Sequence, residues 1–175
     1  MSQAEPETKR NNALIWLIIC VSSLVVSVVY GALFNHLGLT TTGDSIAYLT
    51  TSLNHQKDGI FEIAPLWPPL YPWLISQFHM FTGFPADAAA WLSGISFGSL
   101  FFAVLAVAHL LRLPKSSLLA VAIFLCCWWE VIFVFQAAWS GGLFTSLWAL
   151  HLFFVLRILN RKELSILLEW QSLLE

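Results

Sequence analysis

Between Ala13 and Phe34 the chain carries no charged side chain. A helix crossing the ~30 Å hydrocarbon core of a bilayer needs such a run, at ~1.5 Å per residue. Backbone in lipid must satisfy its own hydrogen bonds, so the run has to be helical. Composition extends the constraint to the whole sequence. Hydrophobic residues make up 58% and charged residues 10%, against roughly 25% charged in a soluble domain. Too few charges remain to cover a water-facing surface, so the class is integral membrane protein. The net charge of −2 points to no partner beyond the bilayer, and no nucleic acid is expected. Cys20, Cys126 and Cys127 fall in apolar runs and read as small buried residues rather than a disulfide framework.

The expected fold is all-α and polytopic. Residues 1–12 form a cytoplasmic tail, and residues 13–159 a membrane domain with spans at 13–34, 86–111, 116–138 and 142–159. Residues 35–85 form a large outer loop. Residues 160–175 form a cytoplasmic amphipathic end that reads as the start of something longer. The first span has no cleavage signal and is read as retained. Lys9 and Arg10, Arg112 and Lys115, and Arg157, Arg161 and Lys162 flank alternate span ends. All three clusters are cytoplasmic if the N-terminus is inside, which puts the loop outside with Lys57 its only lysine. The expected location is the plasma membrane.

The loop holds most of the polar chemistry. Gly43 and Gly59 punctuate a helix from Asp44. Its wheel gathers Asp44, Tyr48, Thr51, His55 and Asp58 on one stripe, opposite Ile46, Leu49 and Leu53. This predicts an interfacial helix lying on its apolar face. Asp44 suits a helix N-cap, and equally a carboxylate base at the lipid boundary. Pro65, Pro68, Pro69 and Pro72 predict a rigid extended corner before a second short helix over Trp73–Phe81. Trp67, Tyr71 and Trp73 are interfacial anchors, or line a groove for lipid or sugar. His79 could meet a phosphate or serve structure. Two ionisable residues lie within spans: Glu130 and His151 are expected to pair, because a lone carboxylate in hydrocarbon is costly. His109, near the inner end of its span, is expected to snorkel.

Gly43-Asp44-Ser45 with Tyr48, and Pro68-Pro69-Leu70-Tyr71-Pro72 running into Trp73-Leu74-Ile75, resemble the first-loop motifs of the GT-C fold membrane glycosyltransferases. The resemblance is to the dolichyl-phosphate-mannose-protein mannosyltransferase and RgtA/B/C/D-like branch. Ser140 to Leu147 resembles the turn opening its fourth span. The chain resembles the N-terminal portion of such enzymes, which carry further spans. The resemblance implies inverting transfer of a sugar from a polyprenyl-phosphate donor to an acceptor glycan, lipid or protein on the outer side. It implies Asp44 as the catalytic carboxylate, with Tyr48, His55, Pro69, Tyr71 and His79 as substrate-binding residues. Some branches use a divalent metal; here Ser45 follows Asp44, and Gly141 and Gly142 stand where many members place a further acid. The alternative is a non-enzymatic assembly or interaction subunit whose outer loop docks a partner. A transporter fits less well, because no span is broken by Pro or Gly in mid-membrane with charges facing a path.

Overall fold

The computed structural model describes the backbone of residues 4–59 and 68–174, and the side chains of 11–59 and 68–160. Pro65, Trp67 and Glu62 lie outside the described residues. The described chain is helical, with α1 at Ala4–Leu37, α2 at Gly43–Asp58, α3 at Leu70–Thr82 and α4 at Pro85–Leu110. Then come α5 at Lys115–Cys127, α6 at Trp129–Gln136 and α7 at Ser140–Leu174.

Three segments are long and apolar enough to cross a membrane: Asn11–Leu37, Pro85–Leu110 and Ser140–Asn160. The short helices α2 and α3 are not among them. α4 is the central helix, and α1, α3, α5, α6 and α7 all pack on it. Ser23, Ser27 and Gly31 repeat every fourth residue along α1 and meet Gly94 and Gly98 of α4. A Cβ at Gly94 would collide with the Gly31 backbone, and one at Gly98 with the Ser27 hydroxyl. Small residues on both helices let the backbones approach, which is how helices gain contact where lipid removes the hydrophobic drive. On the far side, the Ser146 hydroxyl of α7 donates to the Ser96 carbonyl of α4 at 2.6 Å.

The basic side chains collect at one end. His109 closing α4 lies 2.7 Å from Asn12 Oδ1 near the start of α1. Trp16 packs on both His109 and Phe153, and Arg157 lies over the Phe153 ring at 5.9 Å. Arg112 and Lys115 follow α4 directly. At the opposite end Thr40 pairs with the α6–α7 connection: its N–H donates to Gln136 O at 3.1 Å, and its carbonyl accepts from Ala138 N at 3.2 Å.

Several expectations change. The third span, expected unbroken over 116–138, is two helices bent by 53° at Trp128. It is a fourth crossing only if the bent pair counts as one. Neither Pro nor Gly causes the bend. Tyr30 of α1 inserts its hydroxyl against the Cys126 carbonyl at 2.6 Å, and a side chain that takes a carbonyl out of the helical ladder is a known origin of kinks. The amphipathic end is not separate, because α7 runs on to Leu174 with no Gly or Pro to stop it. Cys20 and Cys127 are exposed and Cys126 is half-buried, rather than all buried. The prolines do not hold off the helix until Trp73: Pro69 is the N-cap of α3, and Pro72 sits inside its first turn. First-turn N–H groups have no partner within the helix, so Pro loses nothing there.

Candidate functional site

The loop residues assemble at the end away from the basic cluster. α2 begins with a reciprocal cap. Thr42 Oγ1 accepts from Ser45 N at 3.3 Å, and Ser45 Oγ accepts from Thr42 N at 3.1 Å. Asp44 is therefore not the N-cap. Its carboxylate stands exposed in the first turn, where the free N–H groups favour negative charge.

The stripe of α2 that faces the protein is Ser45, Tyr48 and Ser52. This corrects the expectation that Ile46, Leu49 and Leu53 form the seat: Ile46 is 61% exposed. Leu49 does pack against the core. Tyr48 wins the inward position because its ring and its hydroxyl both find partners. The ring meets Tyr71 edge-on at 5.3 Å, and the hydroxyl lies 3.3 Å from Ser140 Oγ at the start of α7. Ile75, Ala88, Ala89, Leu92 and Ala138 complete this cluster. Three stretches far apart in sequence thus converge through Tyr48, Tyr71 and Ser140.

Tyr71 is 2% exposed. Burial raises its phenol above the ordinary range; nearby Ser93 acts against this and Tyr48 with it. Ser93 is close but outside hydrogen-bond geometry, and the hydroxyl has no formal partner. Tyr71 also forms one wall of a cleft of about 270 Å³ between the starts of α3 and α7. Pro68 and Leu70 continue that wall, and Ser140, Gly141, Leu143, Phe144 and Leu147 form the other. The cleft is apolar along its length, with the N-terminus of α7 at Ser140 and Gly141. Helix N-termini attract anionic groups. Asp44 is not among its lining residues.

The remaining predicted residues separate from it. Pro69 is exposed at the α3 cap. His55 is half-buried in the last turn of α2, where Gly59 N donates to its carbonyl. His79 is buried and turned to its own helix end, with Nε2 2.9 Å from the Gly83 carbonyl. Nε2 therefore carries the proton, and the ring serves as a cap rather than facing the cleft. Glu130 and His151 are not brought together. Glu130 is exposed in the first turn of α6, where the new helix N-terminus favours its charge. His151 is exposed on α7, and its ring meets Trp148. The bend created a helix start that the continuous span lacked, and it removed the reason for the pair.

Sequence reasoning missed Ser140 as the partner of Tyr48, which no local pattern signals. It also missed the Thr42–Ser45 box, although a hydroxyl residue three positions before Ser45 has the spacing of one. Among the described residues no three His, Cys, Asp or Glu side chains converge on a possible metal. No protein family, no curated protein and no solved structure matches the chain.

Proposed function

We propose that the chain belongs to a membrane glycosyltransferase that moves a sugar from a polyprenyl-phosphate donor to an acceptor hydroxyl on the outer side of the membrane. The observation carrying this is the contact of Tyr48 with Tyr71 and Ser140. It joins the Gly43–Tyr48, Pro68–Pro72 and Ser140–Leu147 stretches, which carry the resemblance, at one end of the bundle. In this reading Asp44 takes the proton of the acceptor hydroxyl. The freed oxygen attacks the anomeric carbon from the face opposite the phosphate, and the sugar–phosphate bond breaks with its electron pair leaving on the polyprenyl phosphate. The apolar cleft beside Tyr71 suits the donor's chain, and the N-terminus of α7 suits its phosphate. The positive-inside rule puts the basic end in the cytoplasm and this end outside, in a multi-pass plasma-membrane protein.

The test is Asp44→Asn in proteoliposomes carrying a panel of polyprenyl-phosphate sugars. Losing a general base costs about 10²–10⁴-fold in rate, and the expected outcome is transfer reduced by that order with stability lowered by no more than about 1 kcal/mol, the contribution of a first-turn charge. Thr42→Ala is the control. It removes the cap, costs about 1 kcal/mol of stability, and should leave transfer within a few-fold. Transfer undiminished by Asp44→Asn would sink the assignment and favour the alternative, an outer loop that docks a partner protein.

A further inference from the structure

At the basic end, α1 and α5 both rest on α4. Between them lies a cleft of about 360 Å³. Phe101 and Leu105 of α4 floor it, Ile15 and Ile19 of α1 form one wall, and Leu118 and Ala122 of α5 form the other. Lys115 and Asn11 stand at its mouth, and no carboxylate lines it among the described residues. The first turn of α5 also carries no acid.

We propose that this cleft holds one acyl chain of an anionic membrane phospholipid, with Lys115 meeting the headgroup phosphate. Length supports a single chain. Along α1 the lining runs from Asn11 to Ser22, about 16 Å at ~1.5 Å per residue. That is roughly half of the ~30 Å hydrocarbon core, the depth of one leaflet. Charge favours an anionic headgroup: among the described lining residues the only ionisable group, Lys115, is cationic. Basic pockets between membrane helices bind anionic headgroups for the same reason. The site is at the opposite end from the Tyr48–Tyr71–Ser140 cluster and does not depend on the glycosyltransferase reading.

The experiment is native mass spectrometry of the full chain released from nanodiscs containing equal phosphatidylglycerol and phosphatidylcholine with identical acyl chains. One phosphatidylglycerol per chain is expected, retained over phosphatidylcholine by about fivefold, the preference one basic residue supplies at a membrane surface. Lys115→Gln should abolish the preference while some lipid of either kind remains. Arg157→Gln, at the same end but outside the cleft, should leave it intact. Ala122→Trp should expel both lipids. Leu119→Trp, at an exposed rim position, reads the same loss if Ala122→Trp fails to fold. Equal retention of the two lipids overturns the proposal. So does a preference surviving Lys115→Gln, or one lost equally with Arg157→Gln, which would mark general attraction to the basic end.

Discussion

Tyr71 holds its phenol in an enclosed place where the neutral form is favoured. The hydroxyl is buried, lacks a formal partner and has its ionisation pushed to higher pH, first by burial. An unsatisfied buried hydroxyl costs about 1–3 kcal/mol, so Tyr71→Phe should leave stability unchanged or raised at neutral pH. Tyr48→Phe should lower it by about 0.5–1.5 kcal/mol, because its hydroxyl has Ser140 as a partner. The pH dependence follows from the raised phenol. An unfolded tyrosine ionises near pH ~10, while folded Tyr71 keeps its proton beyond that. Above pH ~10 the unfolded state therefore binds fewer protons than the native one, and stability falls as pH rises. The Tyr71 contribution is fully present below pH ~10 and is lost upward from there. Unfolding midpoints in detergent between pH 9 and 11 should fall less steeply for Tyr71→Phe than for the wild type. Equal slopes would show that Tyr71 titrates normally.

At the scale of elements, the α1–α4 seam is the tightest join. Gly94→Leu forces a side chain into the Gly31 backbone, which has no rotamer to escape to. Overpacking typically costs about 1–3 kcal/mol, and the upper end or beyond is expected here, seen as a lowered unfolding midpoint. Gly43→Ala is the contrast: nothing lies near its added Cβ, and no measurable loss is expected. Part of this seam was legible in the sequence. The small residues Ser22, Ser23, Ser27, Gly31 and Ala32 of the first span suit close helix packing. Which of them face α4 was not legible, and Gly94 and Gly98 gain meaning only once the register of α4 against α1 is known. The bend at Trp128 was not legible. Its cause is a hydroxyl on Tyr30, 96 positions away in sequence from the carbonyl it takes. The start of α3 was misplaced by applying a rule for helix interiors to a first turn. The inward stripe of α2 was misassigned because tyrosine was counted as polar, although buried rings with hydrogen-bonded hydroxyls contribute as core residues. The cap reading of Asp44 was overturned, because that cap belongs to Thr42.

For the whole molecule, the two ends differ in charge and in kind. One gathers Arg112, Lys115 and Arg157 around the Asn12–His109 contact. The other gathers hydroxyls, aromatic rings and α2, with Asp44 and Asp58 exposed on it. Three helices long enough to cross a membrane separate them. An odd number of crossings between Lys57 and Arg112 is required if the ends face opposite sides, and α4 supplies one. That requirement holds whether or not α5 and α6 complete a further crossing, because both follow Arg112. Single cysteines at Lys57 and Arg112, in a background with Cys20, Cys126 and Cys127 replaced by alanine, test it directly. A membrane-impermeant maleimide should label Lys57→Cys in intact cells and Arg112→Cys only after permeabilisation. The reverse pattern would keep the bundle and invert it, moving the Asp44 end to the inside. Labelling of both in intact cells would mean that α4 does not cross, and the central helix of the fold would then lie along the membrane rather than through it.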